Sequence, residues 1–404
     1  MPFLVPVDTG VPLAAPTFWI VAHRRALGRQ PSTLYNELRS LMWLYLWAAA
    51  RGVDIQQRLR EGAFFALTEI IDIVNFCGRF TADALQEIDE RSSKLSRLAR
   101  RRKDSGRSVQ SAEQRNRLAA ISSFIEFTSA DFLSVLAPWP QRWDHYNAVR
   151  TQCLDRLRGY TGGLAKPRRD DLGLPEGLEA AALKRLREVI EPDHPDNPFQ
   201  PEVRFRNYFI IRLLLELGLR RGELLGVKLS DCNLGSTGSL TVHRRPDDPD
   251  DPRRDKPSAK TAARVLALNG RMTELAHEWV VHYRAKIPGA RRHLFLVVNS
   301  RTGGPMSKSN LNKIFEALRH RVPGLPAELS PHILRHSWND AFSETMDRKG
   351  IPGAQEVKWR ARLMGWRSEF TARNYLRRTV RRRSNEVLKE MQDGLNIAPL
   401  EGVS

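Results

Sequence analysis

Cysteine is scarce in this 404-residue chain. Cys77, Cys153 and Cys232 are odd in number, far apart and without metal-ligand spacing, which argues against a disulfide framework and against a zinc site; a reducing cytosol suits them. The N-terminus, MPFLVPVDTGVPLAAP, has neither a basic leader nor an apolar run of spanning length, so we expect no export, no membrane anchor and a cytoplasmic protein. Acidic residues are the minority charge: 46 Asp+Glu stand against 65 Lys+Arg, leaving +19 at pH 7. Such an excess favours a polyanionic partner through counterion release and long-range steering, nucleic acid first. Charge alone also fits a ribosome-associated protein or a merely basic enzyme. A hydrophobic share of 41% and a charged share of 27% are those of an ordinary globular chain, so neither disorder nor a membrane is indicated. The length suits two globular units, and no internal repeat is present.

The first third is helical by its apolar spacing. One helix begins after Pro31, with Ser32 and Thr33 as candidate caps and Leu34, Leu38, Leu41 and Tyr45 on one face. A second covers about 69 to 78, and a third opens on the capping-box pattern Ser111 to Gln114 before Leu118, Ile121 and Ile125. Between them, the basic stretch SRLARRRKDSGR (96–107) reads equally as a solvated linker or as a phosphate-contacting strip. Another helix follows Trp143 and ends near GYTGG. The mixed proline, glycine and charge of LAKPRRDDLGLPEGL mark an interdomain connection, dividing the chain into a helical domain 1–165, a linker 166–178 and a second domain 179–404.

Beyond the linker we expect a helix near 178–189 and a strongly apolar one through NYFIIRLLLEL that stops at Gly218. SLTVHRR (239–245) and ARVLALN (263–269) read as strands around a loop rich in Pro and Asp, HLFLVV as a third strand, and the rest as helix. The fold class is mainly α with a small β-sheet.

Four segments carry candidate chemistry. In GLRRGELLGVKLSDC a glycine ends one helix and Arg220 stands where the next begins, so a guanidinium fork and helix N-terminal amides suit a phosphate oxygen; alone, Arg220 beside Glu223 is an ordinary surface pair. SPHILRHSW sets His332 and Arg335 three apart on one helical face, with Pro331 in the first turn, and such a face can grip one phosphate. His332 and His336 are four apart, but the HExxH glutamate and a third ligand are missing, which disfavours zinc. DKPSAKTAARVLAL puts Lys260 between the two strands, with Lys256 as a second candidate. The preceding PDDPDDP lacks the glycine and terminal glutamate of a calcium loop and reads as a solvated turn. Finally, in MGWRSEFTARNYLRR, Trp366 precedes Tyr375 by nine residues, and Arg373, Arg377 and Arg378 crowd the tyrosine in sequence.

Together these segments resemble the two boxes of the tyrosine recombinases of the phage-integrase family: GLRxxE, then HxxRH followed by a glycine with His or Trp and a C-terminal tyrosine. The resemblance covers the catalytic half. The helical first half resembles more loosely the SAM-like core-binding domain of many integrases. It implies a mixed α+β catalytic domain in which Arg220 is the first arginine and Glu223 its acidic companion. Lys260 falls on the hairpin lysine, with Lys256 the alternative, and His332 and Arg335 form the HxxR pair. Trp366 takes the position usually held by histidine, donating through its indole N–H. The short Lys260 to Arg264 spacing and the missing proline in ARVLAL depart from the pattern.

Membership would make Tyr375 a nucleophile on a DNA phosphodiester, giving a 3′-phosphotyrosine and a free 5′-hydroxyl that attacks the partner strand. The arginines would stabilise the pentavalent transition state, His332 would accept the tyrosine proton, Lys260 would protonate the departing oxygen, and neither cofactor, metal nor ATP is called for. The implied partners are double-stranded DNA at specific recombination sites and three further copies of the chain in a synaptic homo-tetramer, the basic tail RRTVRRRSNEVLKEMQDGL docking on a neighbour. Two other activities share these residues: a type IB topoisomerase, and a catalytically silent DNA-binding regulator. The DNA sequence recognised depends on groove geometry and is not legible here.

Overall fold

The computed structural model describes residues 1–92, 108–164, 176–245, 248–257 and 261–395. The chain divides into two compact units, Met1–Arg169 and Asp170–Ser404. The architecture is mainly helical with one small antiparallel sheet.

The first unit holds α1 (Ala14–Phe18), which runs on as a π-helical turn, then α2 (Pro31–Arg51), α3 (Ile55–Glu61), α4 (Leu67–Cys77), α5 (Thr81–Ser92), α6 (Ser111–Leu136) and α7 (Pro140–Gly163). Leu34, Leu38 and Leu41 are buried along α2, as their spacing requires, and Tyr45 packs beside them. Its start differs from the expected caps. Pro31 occupies the first helical position, where its missing N–H costs nothing, so Gln30 precedes the helix and Ser32 and Thr33 lie inside it. Likewise α6 begins at Ser111 without a capping box, because the Gln114 amide donates instead to the Val74 carbonyl at 2.8 Å.

By length and composition α6 is apolar enough to cross a membrane, yet Leu118, Ile121, Phe124 and Ile125 are fully buried in this unit's core. Arg117 on the same helix is also buried. Its guanidinium lies 3.6 Å from the centre of the Trp43 ring and donates to the carbonyls of Cys77 and Arg79 at 2.9 and 2.8 Å, satisfying the exposed acceptors at the end of α4. The basic stretch 96–107 lies outside the described residues, as do 166–175 of the expected linker.

The second unit runs α8 (Ala180–Val189), α9 (Pro201–Leu217), α10 (Arg221–Gly226), β1 (Cys232–Asn233), β2 (Ser239–Val242), β3 (Arg264–Ala267), α11 (Gly270–Glu278), α12 (Lys308–Arg321), α13 (Pro331–Arg348), α14 (Gly353–Met364) and α15 (Glu369–Leu395). Phe209, Ile210, Ile211, Leu213 and Leu214 are all fully buried, which makes α9 the central helix of this core. The strands order β1-β2-β3, and β2 pairs β3 with Leu240 opposite Leu266 and Val242 opposite Arg264. Strand alternation puts Arg264 on the same inward face as Leu266, while Val265 faces out.

Two expectations fail here. HLFLVV is buried but makes no strand: Phe295 and Val298 form only isolated bridges to Lys228 and Pro305. A short apolar run packed on all sides does not need a ladder to be buried, and its pattern alone does not distinguish the two cases. The described part of PDDPDDP is only partly solvated: Asp250 is largely exposed, while the side chains of Asp248 and Asp251 are covered. Asp248 and Asp250 hold the Lys228 ammonium at 2.9 and 3.0 Å, and the buried Asp251 holds Arg253 at 2.8 Å.

Two left-handed glycines end the helices that lead into two of the candidate segments: Gly218 (φ 58°) after α9 and Gly365 (φ 66°) after α14. A Cβ on Gly365 would come within 2.9 Å of the Ala262 carbonyl oxygen and of the Thr261 and Arg264 side chains. Gly350 (φ 64°), after α13, has nothing within 4 Å of that position. Gly350→Ala should therefore cost only the conformational strain, about 1 kcal/mol, and Gly365→Ala distinctly more in urea unfolding. Equal losses would contradict the close packing at Gly365.

Candidate active site

Gly218 turns the chain so that Arg220 caps α10 in extended conformation, and the buried Leu224 and Leu225 anchor that helix with Glu223 pointing inward. Ser330 and Pro331 start α13, whose Arg335, His336, Asn339 and Ser343 form a buried polar stripe alongside the apolar Leu334 and Met346. After α14, the Gly365 cap brings Trp366 back, its N–H bonded to the Ala361 carbonyl at 2.9 Å. α15 then presents Tyr375 in its second turn.

Glu223 is the hub of one half of the site and is 2% exposed. Its carboxylate accepts the Arg220 backbone N–H at 2.9 Å, the Thr261 hydroxyl at 2.5 Å and two Arg264 guanidinium N–H groups at 2.8 and 3.3 Å. The Arg220 side chain approaches it at 3.4 Å and Arg335 at 3.9 Å. Burial by itself pushes this carboxyl up, but the hydrogen bonds and charge of Arg264, with the charge of Arg335 and the Thr261 hydroxyl, hold it at about 2. Arg264 is fixed in turn by the Leu363 carbonyl at 2.6 Å, and the Ala262 N–H bonds the Gly365 carbonyl at 3.0 Å. The strand connection and the α14 cap are thereby tied to the same carboxylate.

Arg335 links this half to the tyrosine. Its guanidinium donates to the Gly218 and Met364 carbonyls and lies 5.5 Å from the centre of the Trp366 ring. Burial, then the nearby charge of Arg220, lower it to about 9, with Glu223 opposing, so it is a cation at neutral pH. Trp366 stacks on Tyr375 with centroids 5.4 Å apart and planes 15° off parallel. Its indole N–H is buried and has no hydrogen-bond partner among the described residues, which leaves a donor for a bound oxygen. The Tyr375 hydroxyl lies 3.1 Å from Nδ1 of His336, and the Arg360 guanidinium lies 5.5 Å from the phenol ring centre. Arg360 is itself buried and held by Glu356 and Ser343. His332 sits one turn before His336, rings 4.4 Å apart, and is exposed. Desolvation, then the charges of Arg335 and Arg220, lower its pKa.

Six of the seven residues singled out in the sequence therefore belong to one contiguous cluster: Arg220, Glu223, His332, Arg335, Trp366 and Tyr375. The seventh, Lys260, lies outside the described residues; Lys256, its alternative, donates to the Asp248 carbonyl at 2.7 Å. Three expectations about neighbours change. The histidine against the phenol is His336, which sequence spacing raised only as a zinc ligand. Arg373 is exposed and 4.0 Å from Glu369; among the described residues the cation over the phenol ring is Arg360, while Arg335 lies over Trp366, and the side chains of Arg377 and Arg378 lie outside the described residues. Arg264 and Thr261 were missed as site residues. The inward phase of β3 was the available signal for Arg264.

The depressed carboxyl makes stability pH-dependent. Glu223 titrates near 2 when folded against 4.5 as its ordinary value, so its contribution is fully present above about pH 4.5 and is lost as pH falls toward 2. A shift of that size corresponds to about 3 kcal/mol. Glu223→Gln should be less stable at pH 6 and lose this part of the acid limb in urea unfolding from pH 6 to pH 2; an unchanged limb would contradict the hub.

Residues 183–382 match the sequence model of the phage integrase family. The tyrosine recombinase XerD of Halalkalibacterium halodurans is 24% identical over 160 residues, 40% of this chain and 46% of that protein. The tyrosine recombinase XerC of Brucella melitensis is 28% identical over 170 residues, 42% of this chain and 47% of that one. The matches thus span about half the length of these relatives. Among solved structures, XerH site-specific recombinase bound to palindromic difH substrate in a post-cleavage complex is 16% identical, with a TM-score of 0.43 over 85% of this chain and 95% of that chain. The matched span contains every side chain of the cluster from Arg220 to Tyr375, and the chain belongs to the phage integrase family of tyrosine recombinases.

Proposed function

We propose that this protein is a site-specific DNA recombinase that cuts and rejoins strands through Tyr375. The observation that carries the reading is the seating of the Tyr375 phenol against Trp366 and His336, in a cluster that also holds two arginines and an unpartnered indole donor. Those are the groups a phosphoryl centre needs. The phenol oxygen attacks phosphorus, the bond from phosphorus to the 5′-oxygen breaks, and that oxygen leaves as a hydroxyl after protonation. The freed hydroxyl of one strand then attacks the phosphotyrosine of the other. Two exchanges of equivalent esters conserve bond energy, so ATP is not required.

Arg220, Arg335 and the Trp366 N–H serve as the preorganised donors for charge on the non-bridging oxygens, the role a metal fills elsewhere. Glu223 fixes the two arginines and Arg264. Lys260 is the proton donor to the leaving oxygen: it directly precedes Thr261, whose hydroxyl bonds Glu223. His332, exposed at the rim beside Arg335, contacts the phosphate rather than the phenol in this reading.

The substrate is double-stranded DNA in the cytoplasm, in keeping with the net charge of +19. The helical domain 1–165 is a core-binding domain for the duplex, 166–178 is the linker and 179–404 is the catalytic domain. A synaptic homo-tetramer fits the tail: Val380, Val387, Leu388 and Met391 are exposed on α15 at spacings of seven, one and three, a helical stripe suited to a neighbouring copy.

With DNA from the flanks of the gene as a nicked suicide substrate, the wild type should become covalently linked to DNA. Tyr375→Phe should bind equally and form no adduct; an adduct with that variant would overturn the nucleophile assignment. Arg220→Ala should slow adduct formation by about 10²–10³-fold, the scale of a lost oxyanion donor. A near-normal rate would remove Arg220 from the clamp. Relaxation of arbitrary supercoiled plasmid without such a site would favour a type IB topoisomerase activity instead.

A further inference from the structure

We infer that His336 is a positioning residue for the nucleophile: its Nδ1 accepts the Tyr375 hydroxyl hydrogen bond and holds the phenol in register for attack. This rests on the reading of Tyr375 as nucleophile and adds the group that orients it.

The two histidines of α13 occupy different environments. His332 is an exposed residue whose pKa is lowered by desolvation and then by the charges of Arg335 and Arg220. His336 is 5% exposed and meets the phenol at 3.1 Å, with ring centroids 5.6 Å apart. The rings of His332 and His336 meet edge to face at 4.4 Å, so the first histidine walls off the second. A buried imidazole that accepts from a phenol uses an unprotonated Nδ1 and carries its proton on Nε2.

The remaining faces of the phenol are also occupied. Trp366 stacks on one side, and the Arg360 cation, fixed by Glu356 and Ser343, lies 5.5 Å from the ring centre. Those contacts limit where the ring lies, but neither grips the oxygen. The oxygen is the reacting atom, and the His336 hydrogen bond acts on it directly at 3.1 Å. Arg335, the adjacent residue on α13, is tied to the Gly218 and Met364 carbonyls, so the acceptor and the phosphate-binding cation share one rigid helical turn. Placing nucleophile and clamp on a common frame is the geometric condition for a near-attack arrangement.

The acceptor's position supplies the test. The side-chain oxygen of asparagine is bonded to Cγ, as Nδ1 of histidine is, whereas that of glutamine stands one methylene further out. In the full-length protein on the suicide substrate, His336→Leu should bind DNA as the wild type does and form adduct about 10²-fold more slowly, the cost of a misplaced reactant. His336→Asn should recover most of the rate, and His336→Gln should not. A merely structural histidine predicts no such ranking; equal rates for Asn, Gln and Leu variants would overturn the inference. Should these variants fail to fold, ¹⁵N-histidine spectra of the wild type and Tyr375→Phe decide it. Loss of the phenol oxygen should move the His336 Nδ1 resonance, and an unmoved resonance rejects the hydrogen bond. Failure of the underlying reading looks different: the wild type would then form no adduct, or Tyr375→Phe would form one.

Discussion

A buried carboxylate surrounded by guanidinium groups organises the second unit. Glu223 collects a backbone amide from α10, a hydroxyl from the strand connection and the Arg264 fork from β3, with Arg335 of α13 within reach. Each partner comes from a different element. A lone carboxylate at 2% exposure would be strongly unfavourable, and a lone buried arginine equally so; together they satisfy one another. The arrangement therefore fixes relative positions that apolar packing of α9, α12 and the sheet leaves loosely specified. The same constraint makes individual removal costly, since any deletion strands a charge.

Main-chain carbonyls complete the frame. The left-handed glycines at 218 and 365 end α9 and α14, and the carbonyls beside these caps, of Gly218 and Met364, both accept from Arg335. The arginine thus ties two helix ends together while keeping its charge beside Trp366 and Arg220. Gly365 has a second duty, since its carbonyl bonds the Ala262 N–H and its lack of a Cβ admits Thr261 and Arg264. Close approach of backbone to backbone, rather than the turn alone, explains why glycine stands there.

The tyrosine is held differently from the arginines. Its neighbours are aromatic and cationic, contributed by α13, α14 and the loop after α14: His336, Arg360 and Trp366. Ring stacking and cation–π contact are broad in direction, whereas the hydrogen bond to Nδ1 is narrow. The helix that carries this phenol also extends into an apolar, exposed stripe at Val380, Val387, Leu388 and Met391. The exposed stripe and the seated phenol belong to the same helix, α15.

Much of this was determined by local sequence. Pro201 and Pro331 start helices, Gly218 and Gly365 stop them, and the inward phase of ARVLAL sets the strand, because caps, prolines and side-chain periodicity act over a few residues. The four segments that hold Arg220, the Lys260 region, Arg335 and Tyr375 were readable for the same reason: each is a short pattern at fixed spacing. Tertiary structure decided who meets whom. His332 and His336 share a helical face, so spacing ranks them equally, and only packing of α15 against α13 selects His336 for the phenol. Arg373 is two residues from Tyr375 in sequence yet points to solvent beside Glu369, while Arg360, from α14, lies beside the ring. The aspartates of the loop before β3 looked solvated until Lys228 and Arg253 were brought to them from elsewhere in the chain and the loop. Neighbours on one helix are fixed by its period; neighbours across helices depend on burial and charge pairing that no short window of sequence contains.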